Sequence, residues 1–279
     1  MWKVKLCLGT MGLAPSVPEE MEMIKAAGFD GVFTGWGKNA NIGEWRRKAD
    51  ELGLIYQSIH APFGKSADMW TTGEKADIAV AELKECLASC AEYGVPIMIA
   101  HTFIGFEEHN PTPAGPVNYG KVVEEAERLG VKIALENTEG DEYLAVLMDH
   151  FKGCDTVGFC FDSGHEMCYN HHQDMLALYG DRLIATHLND NLGIKDYGGK
   201  TFWHDDLHLL PFDGIADWQG IASRLNKCGY NDILTFELSR TSKPNRHEND
   251  KYGRMTAEEY LAEVFNRACR VAALKISAK

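Results

Sequence analysis

Lys132-Ile133-Ala134-Leu135-Glu136 has the length of one strand, is apolar through its middle, and stops on a carboxylate. An amphipathic stretch over 117–129, closed by Gly130, precedes it, and another over 143–151 follows it. A strand set between helices, with a glycine free to take the left-handed backbone at the helix end, is the repeating unit of a parallel sheet. The unit recurs in both directions. Upstream the pattern predicts strands over 3–8, 31–33, 54–60 and 97–100, separated by helices over 18–27, 43–52 and 74–93. Downstream it predicts strands over 157–162, 183–188 and 233–237, helices over 173–179 and 218–228, and a closing helix over 256–275. Eight strands alternating with helices make an α/β protein, and one closed (β/α)8 barrel over residues 1–279 is the economical solution, with a doubly wound open sheet as the alternative. The 279 residues suit a barrel of roughly 250 as a single domain.

Composition narrows the classes of function. With 45% hydrophobic and 25% charged residues the chain is ordinary for a globular protein, which excludes disordered, collagenous and disulfide-scaffold readings. Twenty-eight Lys and Arg against 41 Asp and Glu give −13, so nucleic acid and anionic membrane are not expected partners. The eight cysteines lack C-x-x-C pairs and read as reduced, mostly buried thiols, with Cys86 and Cys90 on one core-facing side of a helix. The apolar run at the start is too short for a signal peptide, and no run approaches the roughly 20 residues of a membrane span, so a cytoplasmic protein is expected. A homo-oligomer is compatible with this composition. G-x-G-x-x-G after a strand, G-x-x-x-x-G-K-[ST] and G-x-S-x-G are all absent.

Position carries the functional signal. Predicted strands three to eight finish on His60, His101, Glu136, Asp162, His187 and Glu237. In a barrel the carboxyl ends of the strands form one rim, where the active site lies. Carboxylates ending apolar strands are costly to bury, and few Lys or Arg stand near them in sequence, so their convergence calls for a cation or an extensive hydrogen-bond network. Asp162-Ser163-Gly164-His165 and Asp206-Leu207-His208 add donors just beyond the strand ends. Mixed carboxylate and imidazole suits Mn²⁺, Zn²⁺, Fe²⁺ or Co²⁺, with Mg²⁺ a further choice, rather than an all-oxygen calcium cage. Any one of these histidines alone would read as a hydrogen-bonded structural group; three histidines and three carboxylates at six successive strand ends read as a metal site. His109, His150, His171, His172, His204 and His247 lack that position and are predicted at the surface. Trp36, Trp70, Phe103, Phe106, Trp203 and Trp218 fall near strand ends or in loops, where they could wall a sugar-binding bowl, although Trp218 suits the core equally well. The two long connections, 102–116 and 189–217, are of a length that is usually functional.

His60-Ala61-Pro62-Phe63, His101-Thr102, Leu135-Glu136-Asn137-Thr138, Phe161-Asp162-Ser163-Gly164-His165, Thr186-His187-Leu188-Asn189-Asp190-Asn191, Asp206-Leu207-His208-Leu209-Leu210-Pro211 and Phe236-Glu237-Leu238 together resemble the xylose isomerase-like TIM-barrel superfamily. That group includes sugar phosphate isomerases, tagatose 3-epimerase-like enzymes, inosose dehydratase and endonuclease IV. The resemblance to the epimerases implies one divalent ion on Glu136, Asp162, His187 and Glu237. It also implies proton transfer by Glu136 and Glu237 through a metal-stabilised cis-enediolate of a carbohydrate substrate, with His165 touching a substrate hydroxyl. His60, His101, Trp36 and Phe103 are the further substrate-binding candidates. The chain departs from the epimerases at Gly193, where they carry an arginine, with Lys195 and Lys200 following. The resemblance to endonuclease IV implies additional metal positions at His60, His101, His165, Asp206 and His208 and a zinc phosphodiesterase acting on abasic DNA, against which the net charge argues. A keto-sugar dehydratase or lyase would share the enolate chemistry, and a noncatalytic sugar-binding relative would leave both glutamates without a role.

Overall fold

A computed structural model describes residues 4–106, 109–194 and 203–278. Lys3, Lys195 and Lys200 lie outside them. The strands are β1 (Leu6–Gly9), β2 (Gly31–Gly35), β3 (Ile55–His60), β4 (Ile97–His101), β5 (Lys132–Glu136), β6 (Val157–Asp162), β7 (Leu183–His187) and β8 (Leu234–Phe236). All paired strands are parallel, in the order β7-β6-β5-β4-β3-β2-β1-β8, so sequence neighbours are sheet neighbours and β8 returns to β1. Between β7 and β8 the ladder reduces to an isolated bridge, Leu188 to Phe236, beside which Thr235 N donates to Thr186 Oγ1 at 3.0 Å. That stitch completes the (β/α)8 barrel.

Helices α1 (Val17–Ala27), α2 (Ile42–Leu52), α3 (Glu74–Glu92), α4 (Ala114–Leu129), α5 (Asp141–His150), α6 (Ser163–Cys168), α7 (Met175–Tyr179), α8 (Trp218–Lys227), α9 (Asp250–Gly253) and α10 (Ala257–Ser277) connect or close the units. Their ends follow local chemistry. Ser16 caps α1, Gly28, Gly53 and Gly130 take left-handed backbone at helix ends, and Thr256 with Glu259 forms a capping box on α10. The first strand starts later than expected, at Leu6. Two helices escaped the sequence reading, α6 directly after β6 and α9 after β8, both too short for a helical period to register. The doubly wound alternative falls because the strand order never reverses and the two ends of the sheet meet at the Leu188–Phe236 bridge.

Alternation along each strand decides what enters the barrel. Ile99, Ala134, Cys160 and Ala185 form a buried inner layer, separate from the large core between strands and helices. Residues two further along point the same way, one layer higher. Those residues are His101, Glu136, Asp162 and His187. The thiols are free, with Cys7, Cys86, Cys90, Cys160 and Cys168 buried. Among the described residues no helix is long and apolar enough to cross a membrane.

Candidate metal centre

The strand tips are laced together by side chains that extend the ladder. Asn137 accepts from Asp162 N and donates to Asp162 O, both at 2.8 Å, as a further residue of β5 would do. Ser163 Oγ donates to Asn189 O at 2.6 Å and accepts from Asn189 N at 3.0 Å, tying β6 to β7. Asp162 caps α6, its Oδ1 accepting from His165 N at 2.7 Å, while Asn189 Nδ2 donates to its Oδ2 at 2.8 Å. One carboxylate thereby orients the first turn of the helix that carries His165.

Glu136 is the hub. It is fully buried, with Oε1 2.9 Å from His187 Nδ1 and Oε2 3.3 Å from the Nε2 atoms of both His60 and His101. Glu237 Oε2 stands 3.2 Å from the same His187 Nδ1. Glu136, Asp162, His187 and Glu237 each bring one ligand atom within 4.8 Å of the others, as do His60, His101 and Glu136. His165, Asp206 and His208 make a third such group, with His165 Nε2 3.4 Å and His208 Nε2 3.0 Å from the Asp206 carboxylate. Thus His60, His101, His165, Asp206 and His208 all reach the bowl that holds the strand-end set.

Tautomers are fixed from behind. A backbone carbonyl only accepts, so His60 Nδ1 donates to Ala61 O at 2.8 Å, His165 Nδ1 to Asn137 O at 2.9 Å and His208 Nδ1 to Glu237 O at 3.1 Å. Each Nε2 is left facing the bowl, which is how metal-binding imidazoles are held. Phe33, inward-facing on β2, stacks on His187 at 4.6 Å between centroids.

The charges are arranged for cations. Burial opposes ionisation of Glu136, but His187, His101 and His60 outweigh it and hold the carboxyl well below its ordinary range. Burial likewise disfavours a proton on His187, yet Glu136 and Glu237 raise it well above the usual imidazole value. At His165 burial is overcome by Asp162 and Asp206, and at His208 Asp206 and Glu237 prevail, lifting it to about 9. His101 goes the other way, pushed down to about 4 by burial. Glu237 falls to about 2, burial being outweighed by His187 and His208, whereas burial lifts Asp162 to about 6. Among the described residues no lysine or arginine comes within ion-pair distance of Glu136, Asp162, Asp206 or Glu237. Imidazolium protons neutralise this cage, and those protons occupy the positions a cation would take. Among the described residues, His187 Nε2 and His101 Nδ1 are buried without a hydrogen-bond partner, and Glu136 Oε2 and Asp206 Oδ1 meet only imidazole nitrogens, at 3.3 and 3.4 Å.

Four of the six aromatic candidates pack elsewhere, while Phe106 lies 6.3 Å from Tyr169, itself 5.0 Å from His165. Trp36 follows the outward parity of Thr34, and its indole donates to Ser89 Oγ on α3 at 2.9 Å. Phe103 is buried flat against Tyr143, at 3.9 Å and 7°, and edge-on to His109. Trp70 is buried, donating to Thr102 O, and Trp218 is buried, donating to Asp190. An exposed ring at the bowl is one the sequence reading quoted only within a motif and gave no role: Phe63, 47% exposed, stacks on His101 at 4.7 Å. The signal for it was its place three residues after a strand-end histidine. His150, His171, His172 and His247 are exposed, as expected. His109 is half-buried, wedged between Glu139 at 3.2 Å and Glu142 at 2.6 Å, and His204 is also half-buried.

The comparisons agree with this architecture. The family described as xylose isomerase-like TIM barrel matches residues 21–273. An inosose isomerase of Bacillus velezensis is 26% identical over 203 residues, 67% of this chain and 69% of that protein. Of the solved structures, an IOLI protein with a binding zinc atom superposes with a TM-score of 0.76 at 19% identity, covering 97% of this chain and 98% of that one. An L-ribulose 3-epimerase gives 0.73 at 17% identity, covering 99% and 95%. At those identities the superpositions speak for the fold. The match over residues 21–273, on a closed parallel barrel with its polar side chains gathered at one rim, makes this chain a member of the xylose isomerase-like TIM-barrel family.

Proposed function

We propose that this protein is a divalent-metal-dependent isomerase or epimerase of a sugar, sugar phosphate, polyol or related ketose. The observation that carries the reading is the buried convergence of Glu136, Asp162, His187 and Glu237, with ligand atoms within 4.8 Å of one another. The inosose isomerase relative supports the substrate class. The Glu136 Oε2 set between two imidazole nitrogens at 3.3 Å and the carboxylate-rich donor set around it fit a divalent ion. When bound there, such an ion supplies Lewis acidity that acidifies a C–H beside a carbonyl.

The residues divide the proton work by their exposure. Glu237 keeps 25% of its side chain accessible while Glu136 keeps none, so Glu237 meets substrate from the open side and Glu136 from the barrel floor. Glu237 removes a proton at one face and Glu136 delivers or accepts one from below, the pairing that inversion at carbon requires. His165 offers Nε2 to a substrate hydroxyl, and His60 and His101 orient Glu136. Phe63 covers His101 and presents a flat apolar face to the ring or chain of the substrate. The test is exchange of a ketose α-proton with D₂O by manganese-loaded protein. We expect exchange in the wild type and its loss by at least about 10³-fold in Glu237→Gln. Equal exchange in both would refute the assignment; none in either would favour a binding protein.

The two additional groups, His60-His101-Glu136 and His165-Asp206-His208, favour a second reading in which several cations activate water against a phosphoester. Net charge opposes a duplex substrate. Metal content separates the readings: three zinc ions per chain, with cleavage of abasic duplex, would replace the isomerase by a phosphodiesterase. A dehydrated product from an inosose or other keto-sugar would instead identify a lyase.

A further inference from the structure

Asp190 lies three residues beyond His187, is fully buried, and takes no part in the chemistry above. Its carboxylate accepts four hydrogen bonds, each from a neutral donor in the connection leading to α8. Oδ1 accepts from Asn191 N at 2.9 Å and Ala216 N at 3.0 Å; Oδ2 accepts from Phe212 N at 2.9 Å and Trp218 Nε1 at 2.8 Å. Its backbone exchanges two more with Leu209, at 2.8 and 2.9 Å. The wrapping is close enough that a Cβ on Gly214 would overlap both Asp190 Oδ1 and Asn191 O.

This winding holds the segment that bears Asp206 and His208. Two of its non-glycine residues, His208 at φ 47° and Phe212 at φ 73°, sit in left-handed backbone, which persists only where surroundings over-determine it. Asp190 supplies restraint at both, its carboxylate bonding Phe212 and its backbone bonding Leu209, the neighbour of His208. Asn191 Nδ2 to Asp205 O at 2.9 Å and Ser239 N to His208 O at 2.9 Å complete the hold.

We propose that Asp190 is a positioning residue. Its buried carboxylate winds residues 212–218 and its backbone grips Leu209, and together they carry Asp206 and His208 to His165, the additional cation position considered above. The cation part rests on the metal reading above; the positioning part does not.

Amide hydrogen exchange on the whole metal-free chain tests the positioning. In Asp190→Asn, which keeps one acceptor oxygen, amides over 206–212 should exchange about tenfold faster or more, while β5 and β6 keep their protection. Gly214→Ala, which leaves the carboxylate intact, should loosen the same segment and serves if the first variant fails to fold. Unchanged exchange over 206–212, or equal acceleration throughout the barrel in both variants, would overturn it. Titration with Co²⁺ alone, followed by its visible absorption, tests the cation part. Wild type should show a second equivalent that Asp190→Asn loses while retaining the first. A second equivalent that persists in Asp190→Asn overturns the link, and a wild type that takes one ion removes the second cation while exchange still judges Asp190.

Discussion

Raising the pH of the metal-free protein from 6 to 8.5 should weaken its fold, and a divalent cation should reverse the trend. His208 is buried beside Asp206, with its proton held to about 9 rather than the usual 6.5. A group whose folded value is raised contributes stability that is complete below the unfolded value and is lost as pH climbs through the folded one. Between pH 6 and 8.5 the loss from His208 alone is about 2 kcal/mol, which for a chain this long lowers Tm by about 4 to 8 °C. His165 and His187 are raised for the same reason and add to the decline. With metal present the protons become competitors, so affinity and stability should increase over the same interval. Thermal unfolding by circular dichroism, in chelator and then in excess Mn²⁺, measures both slopes, and His208→Asn isolates the contribution of one imidazole. A metal-free Tm that stays level from pH 6 to 8.5, or a slope unchanged in His208→Asn, would refute the argument that protons neutralise the cage.

Two substitutions probe the walls of the site. A Cβ added at Gly9 would stand 2.5 Å from the Phe33 ring, which in turn stacks on His187. Gly9→Ala should therefore cost about 1–3 kcal/mol in chemical denaturation and weaken metal binding about tenfold by calorimetry. An unchanged affinity would show that Phe33 does not brace His187. Trp36→Phe removes the indole bond to Ser89 and should cost about 1 kcal/mol of stability while leaving kcat and KM unaltered. A rise in KM would return Trp36 to the substrate wall.

The barrel was legible because each strand is bounded by punctuation with a physical cause, such as Gly130 after α4 or Thr256 before α10. The rim was legible for a related reason: Glu136, Asp162 and His187 share the parity of Ala134, Cys160 and Ala185, and so must face the axis. Parity also spoke against Trp36, since Phe33 and Gly35 take the inward positions of β2, but proximity to a strand end is not a direction. Phe103 and Phe63 lie in loops, where no period says which ring turns inward; the buried ring proved to be Phe103 and the open one Phe63. Helix α6 eluded the pattern because a segment of six residues lacks two turns of amphipathic repeat, leaving only Asp162 as a cap signal. The grip of Asp190 on distant amides was likewise unreadable, since three of its four donors are backbone groups without sequence identity.

The stitch between β7 and β8 has a further bearing on how the molecule breathes. Where the other neighbouring strands share a full run of amide pairings, this junction depends on the Leu188–Phe236 bridge and the Thr186 hydroxyl. His187 and Glu237 stand on its two banks, 3.2 Å apart. An ion clasped by both would act as a rivet across the cylinder's weakest join, so losing it should let the wall part there first, turning the reactive centre into the hinge of local opening.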